Sequence, residues 1–286
     1  MPQIRKKIDA IDDQLLNLLN RRARQVLEVG KIKQRENLDL HSPIRERQIL
    51  ERLEKANRGP FSNESIRTIF REIISASLSL EGQLKIAFLG PKATFSHMAC
   101  IQKFGASVHF VPVSNFKEIF TEVEQGRAEY GVVPIENSTE GTVTNTLDLF
   151  VDTPLKITGE IFLEIHNFLM SESPRIENLK RVYSHHQPIM QCQRWIAKNL
   201  GHVQMTEVES TSRAAEICLD DPTTGAIASE LAAKMYGLKI LARRIEDNPH
   251  NTTRFLIISR KGLASTGHDK TSLLFSIKDR SGALYD

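Results

Sequence analysis

Residues 4–38 read IRKKIDAIDDQLLNLLNRRARQVLEVGKIKQRENL, and their apolar positions, Ile4, Ile8, Ile11, Leu15, Leu18, Leu19, Val26, Val29 and Ile32, recur with the period of an α-helix. No proline interrupts the run, and Gly30 is its only weak point. Such a helix would be about 52 Å long, more than a compact domain of this size needs. Its stripe can be buried only against a partner chain or against shorter helices laid along it. Two shorter helices follow. Ser42-Pro43 supplies an N-cap and a first-turn proline for a helix through Arg45, Ile49, Leu50 and Leu53 that ends near Asn57-Arg58-Gly59-Pro60. Another starts at Ser62 or Asn63 and carries Ile66, Ile69, Phe70, Ile73, Ile74, Ser77 and Leu78 to about Glu81. Residues 1–84 are therefore expected to be helical throughout.

At Leu84 the texture changes. KIAFLG, VHFVPV, YGVVPIE, LKITGEIFLEIHNFLMS, RVYSHH, VQMTEVES, TGAIASE and RFLIIS read as strands, and helical stretches such as FKEIFTEVEQG, SRAAEICLD and LAAKMYG alternate with them. This is an α/β pattern with mostly parallel sheets over residues 85–262, long enough for two lobes with a cleft between them. Residues 270–286, KTSLLFSIKDRSGALYD, begin a further strand and turn with too little chain after them to bury that strand's face.

Composition excludes several classes. The length of 286 residues favours about two domains, and 40% hydrophobic with 26% charged residues is ordinary for a globular chain. No apolar run approaches the roughly 18–20 residues that span a bilayer. The N-terminus lacks a secretory signal, and its acids, interleaved with leucines, argue against a transit peptide, so a cytoplasmic chain is expected. Cys100, Cys192 and Cys218 are scattered and form neither a disulfide framework nor a metal spacing, and His185-His186 lack a third ligand at a fixed spacing. The net charge of +3 is small, although residues 1–84 hold 16 Lys/Arg against 12 Asp/Glu. That excess suits a small anion better than nucleic acid, because the cations are spread around interrupted faces.

Some of those cations are placed in register. Arg22 and Lys33 lie 11 residues apart, within about 20° of each other on the first helix, and Ser77 and Glu81 are i, i+4 neighbours on the third. Arg5 is turned about 100° away from the Arg22–Lys33 line. A long helix presenting cations in two directions suits a dimer with shared sites. IRKKIDAID, LLNLLNRRARQVLEVGKIK, SPIRERQIL and IFREIISASLSLE together resemble the all-helical chorismate mutases over residues 3–84. The resemblance implies three helices in an intertwined dimer and a [3,3] rearrangement of chorismate to prephenate that needs no proton transfer or nucleophile. It implies that Arg5 from the partner and Arg22 clamp carboxylates, and that Lys33 donates to the breaking ether oxygen or the adjacent carboxylate. Glu46 accepts the substrate hydroxyl, Ser77 assists a carboxylate, and Glu81, if protonated, donates to the ether oxygen. Ser42, where many relatives have aspartate, and Arg45 complete the set. An acid donor works only while neutral, so mutase activity is expected to fall as pH rises.

Five polar clusters in the α/β part, GPKATFS, VVPIENSTEG, VYSHHQPIMQC, ESTSRAA and NTTRF, each stand beside a strand end, where open sheets bind ligands. In this order they resemble the prephenate dehydratases over residues 85–262. That family implies a two-lobed fold like type 2 periplasmic binding proteins, with prephenate in the interlobe cleft and no metal or organic cofactor. Thr253 would be the key hydroxyl near the leaving group and Arg254 would hold a carboxylate or the loop. Asn137, Ser138, Ser210, Thr211 and Ser212 would be polar contacts, with Thr94 and Ser96 at the first helix N-terminus. Ala93 stands where relatives usually have glycine; if the position needs a positive φ, Ala93→Gly is expected to raise stability or activity. Residues 270–286 resemble the opening of an ACT domain, with Gly282, Ala283 and Leu284 in its ligand loop, and a chain cut short there is expected to lack phenylalanine inhibition. Two other classes compete: a small-anion binding protein, since two-lobed folds are shared with solute receptors, and a helical dimerisation or nucleic-acid module, which would show a steep salt dependence.

Overall fold

The computed structural model describes residues 1–275 other than Asn37, Thr266, His268 and Leu274. Three helices come first: α1 (Pro2–Glu36), α2 (Pro43–Ala56) and α3 (Asn63–Glu81). Ser42 and Ser62 cap α2 and α3, their hydroxyls accepting from Arg45 N and Ser65 N. Only the C-terminal half of α1 packs on α3. The side chains of residues 1–21 are all exposed, and Ile4, Ile8, Ile11, Leu15, Leu18 and Leu19 remain 43–61% exposed.

The rest of the chain forms two α/β lobes. The first lobe holds β1 (Lys85–Leu89), α4 (Phe95–Phe104), β2 (His109–Val113), α5 (Phe116–Glu124), β3 (Tyr130–Asn137), β4 (Gly141–Thr142), α6 (Thr144–Leu149) and β5 (Lys156–Glu164). The second holds β6 (Phe168–Ser171), β7 (Arg181–Ser184), α7 (His186–Gln191), α8 (Gln193–Asn199), β8 (Gln204–Glu207), α9 (Thr211–Ile217), β9 (Thr224–Ala228), α10 (Glu230–Tyr236) and β10 (Lys239–Ala242). The chain then returns to the first lobe as β11 (Thr252–Ser259). The sheets run β2-β1-β3-β11-β5, with β4 beside β3, and β10-β6-β9-β7-β8.

The expected mostly parallel sheets are in fact mixed. β1 pairs in parallel with β2 and β3, and β7 with β8 and β9. β11 is antiparallel to both of its neighbours, and so is β6. These are the strands that follow each passage between lobes, so the chain enters each sheet against its direction. At the two crossings Ile165 N donates to Asn251 O at 2.8 Å and Ile245 N to Asn167 O at 2.9 Å. His166 Nδ1 lies 2.7 Å from Glu246 Oε1 and joins the same two segments. The strand expected to open at Lys270 is absent among the described residues there, and Gly282, Ala283 and Leu284 lie outside them.

The helical part is not a separate body. Leu50, Ile74 and Leu78 share one core with Leu84, Ile86, Phe88, Phe104 and Tyr130 of the first lobe. Ser107 N donates to Ser75 Oγ at 3.0 Å and Ala106 N to Glu72 Oε2 at 3.1 Å, stapling α3 to the chain after α4. Gly105 makes that approach feasible. It has φ 73°, and a Cβ there would stand 2.4 Å from the Ser75 Cβ.

Candidate active sites

Along the seam of α1 and α3, four of the expected residues meet in two pairs. Arg22 Nη1 donates to Ser77 Oγ, which itself donates to Ile73 O at 2.6 Å. About three turns further along α1, Lys33 Nζ lies 2.6 Å from Glu81 Oε2 and donates to Leu40 O at 2.6 Å. Burial pulls the Arg22 guanidinium below its ordinary value, with Glu81 acting the other way. Gly30 keeps the helices close here, since a Cβ on it would come 3.3 Å from Glu81 Cγ. The result is a line of two cations, a hydroxyl and a carboxyl, which can orient a dicarboxylate by charge-assisted hydrogen bonds.

The other helical candidates lie elsewhere. Arg5 is exposed on the unpartnered half of α1, Ser42 is committed to capping α2, and Arg45 is exposed. Glu46 is buried against the first lobe, 2.8 Å from His41 Nε2, and the other ring nitrogen of His41 is 3.1 Å from the Tyr130 hydroxyl on β3. Burial pushes the Glu46 carboxyl up, but the His41 hydrogen bond with the nearby Lys103 and Arg71 outweighs it and holds the group below the usual range. Glu46 thus lines a cavity with Glu160 and Arg254 whose walls include none of Arg22, Lys33, Ser77 and Glu81.

Between the lobes lies a cleft of about 400 Å³ lined by Thr94, Ser96, Asn137, Glu140, Gln187, Gln191, Ser210, Thr211 and Thr253 with apolar walls that include Phe95, Phe116 and Phe255. The pairing of β3 with β11 sets Thr253 opposite Asn137, and Asn137 Nδ2 donates to Thr253 Oγ1 at 2.8 Å. The amide is pinned. Its oxygen accepts from Thr139 N, Thr139 Oγ1 and Glu140 N at 2.9, 2.6 and 3.1 Å, and its second N–H goes to Asn251 Oδ1 at 2.8 Å. With a lone pair of Oγ1 occupied, the Thr253 proton is available to a bound molecule. Thr94 and Ser210 cap α4 and α9, whose N-termini open on the cleft. Among the described residues no Lys or Arg lines it, so an anion there is held by hydroxyls, amides, backbone N–H groups and the His185 ring.

Three expected contacts fall outside the cleft. Arg254 follows Thr253 on the strand and points to the opposite face, where its Nε donates to Glu160 Oε2 at 2.9 Å. Ser212 is buried inside the second lobe with its hydroxyl 2.9 Å from Tyr236 OH. Ser138 staples the β3 end to β11 through His250 O and Thr252 N. Ala93 has φ 68°, in the left-handed region, and is fully buried. Its carbonyl accepts from Ser229 Oγ of the second lobe at 2.8 Å, and its N–H donates to His97 Nδ1 at 3.1 Å.

Comparison with known proteins assigns each of the two regions to a family. The family model "Chorismate mutase type II" matches residues 4–82 and the model "Prephenate dehydratase" matches residues 86–263. The chain belongs to the bifunctional chorismate mutase/prephenate dehydratases. The protein of that name from Aquifex aeolicus is 50% identical over 100% of this chain and 80% of its own length, and the one from Stutzerimonas stutzeri is 40% identical over 99% and 79%. A solved prephenate dehydratase from Arthrobacter aurescens, in complex with L-Phe, is 32% identical with a TM-score of 0.62, covering 70% of this chain and 69% of that one. Within the dehydratase part, Asn251, Glu140, Gln187 and Gln191 were not singled out by sequence. Gln187 and Gln191 are four apart in QPIMQC, a helical spacing that aims both at one side.

Proposed function

We infer that this chain rearranges chorismate to prephenate on its helical part and converts prephenate to phenylpyruvate in its interlobe cleft, two consecutive steps of L-phenylalanine biosynthesis, as a cytoplasmic homodimer. The observation that carries the reading is that each matched region holds a hydrogen-bonded polar set of the right chemistry: Arg22–Ser77 with Lys33–Glu81 on one, Asn137–Thr253 on the other.

In the mutase step Arg22 and Ser77 hold a carboxylate, Lys33 stabilises charge growing on the ether oxygen, and Glu81, if protonated, donates to the same oxygen. Arg5 of the partner subunit completes the site. The half-exposed apolar side chains of α1 support a dimer, since each one covered contributes about 1 kcal/mol. In the dehydratase step the ring C–CO₂⁻ bond breaks as CO₂ leaves. Its electron pair enters the ring and expels the hydroxyl, which takes a proton from solvent water and departs as water. Thr253 donates a hydrogen bond to that leaving oxygen, Asn137 orients Thr253, and Thr94, Ser96, Ser210 and Thr211 supply contacts to the carboxylates.

The shared mutase site is tested by mixing two inactive chains. Arg5→Ala and Lys33→Ala homodimers should each be inactive, and mixing them should restore up to about a quarter of wild-type mutase turnover, because half the dimers carry one intact site. No restoration in an assembly that light scattering shows to exchange subunits would place Arg5 outside the site. Phenylpyruvate formation from prephenate supplied alone tests the cleft, and its absence would remove the dehydratase assignment.

A further inference from the structure

The two lobes meet across the cleft at a carboxylate. Glu140, on the turn from β3 to β4, accepts from Gln191 Nε2 at 2.9 Å through one oxygen and from Gln187 Nε2 through the other. Gln191 is turned so that its amide nitrogen faces the cleft, because Asn167 Nδ2 donates to its oxygen at 3.3 Å. Asn167 is itself fixed at the first crossing, where its N–H donates to Glu246. Two amide donors from one helix thus converge on both oxygens of one carboxylate from the opposite lobe. Glu140 and Glu209 are the carboxylates among the described residues lining the cleft, where no described Lys or Arg stands, so an incoming dianion meets repulsion and finds its best paired donors taken.

We propose that Gln187 and Gln191 form the seat for one carboxylate of the substrate, and that in the empty enzyme Glu140 occupies this seat as an internal competitor. The proposal rests on the reading of the cleft as the prephenate site. Chemistry selects which carboxylate sits there. Hydrogen bonds stabilise the ionised group and would retard its loss as CO₂, so the seat belongs to the side-chain carboxylate that survives into phenylpyruvate. On binding, the Glu140 side chain swings out to solvent while its backbone N–H stays on Asn137 Oδ1, leaving the orientation of Thr253 intact.

The test measures prephenate KM and, by calorimetry, phenylpyruvate Kd for Glu140→Ala, for Gln187→Ala with Gln191→Ala, and for the triple variant, with mutase turnover reporting a folded chain. Removing a solvent-exposed carboxylate competitor held by two hydrogen bonds should lower both constants about three- to tenfold. The glutamine variant should raise both by a similar factor. In the triple variant the loss of Glu140 should bring only what relief of charge repulsion gives, less than half the gain seen with the glutamines present. Unchanged or higher constants in Glu140→Ala, or a full gain in the triple variant, would overturn the proposal. A wild-type chain with mutase turnover but neither prephenate turnover nor phenylpyruvate binding would instead sink the cleft reading, and the seat with it.

Discussion

Acid should destabilise this protein through His97. Its ring is 5% exposed, stacked on Phe88 with centroids 5.0 Å apart and edge-on to Phe110 at 4.9 Å. Nδ1 accepts from Ala93 N, so Nε2 carries the proton of the neutral ring, and among the described residues it has no hydrogen-bond partner. Burial, helped by Lys92, brings its pKa down to about 4. Between about pH 4 and 6.5 the unfolded chain therefore binds more protons at this residue than the folded one does. Stability rises with pH across that window and is lost as pH falls through it. With 6.5 for the unfolded imidazole, the loss between pH 7 and pH 5 comes to about 2 kcal/mol. His97→Gln retains an acceptor for Ala93 and cannot titrate. Urea unfolding followed by circular dichroism at pH 7, 6 and 5 should give a steeper decline for wild type than for the variant, by that amount. Parallel declines would refute the reasoning, whatever the variant's stability at pH 7.

Three further outcomes are expected. Ala93→Gly relieves a left-handed alanine that costs about 1–2 kcal/mol, but loses a buried methyl of about 0.8 kcal/mol and frees the unfolded chain by about 0.4–1 kcal/mol. The expected gain thus shrinks to within about 1 kcal/mol of zero, while Ala93→Val should cost about 2 kcal/mol or more in the same urea titration. Thr253→Ala should lower dehydratase kcat at least about 100-fold, with mutase turnover retained and Thr253→Ser well above Thr253→Ala. Glu81→Gln should keep mutase activity, because the amide still donates to the ether oxygen, whereas Glu81→Ala should lower mutase kcat/KM about 100-fold; an unaffected Glu81→Ala would exclude Glu81 from the site.

Local signals in the sequence specified the local structure. Ser42-Pro43 and Ser62 marked the starts of α2 and α3, and the periodic stripe from Ile4 gave α1 to within two residues at either end. The short strands β4 and β10 passed unread, being two and four residues long and flanked by charge. Strand direction was also hidden, since it depends on which segments cross between lobes. The same holds for side chains whose partners are distant in sequence. Arg22, Lys33, Ser77 and Glu81 could be aligned from helical geometry alone. Glu46 could not, because its place is set by the packing of α2 on the first lobe through His41 and Tyr130. Thr253 was legible from NTTRF, whereas Arg254 was turned away by strand alternation toward Glu160. Asn251, in the same motif, acts on Thr253 only through Asn137, a link that exists once β3 pairs with β11.

A single time course from chorismate bears most directly on the account. With purified chain, prephenate should rise and then fall as phenylpyruvate accumulates, and in Thr253→Ala the course should stop at prephenate. Chorismate left unconverted, or phenylpyruvate formed as well by Thr253→Ala as by wild type, would contradict it.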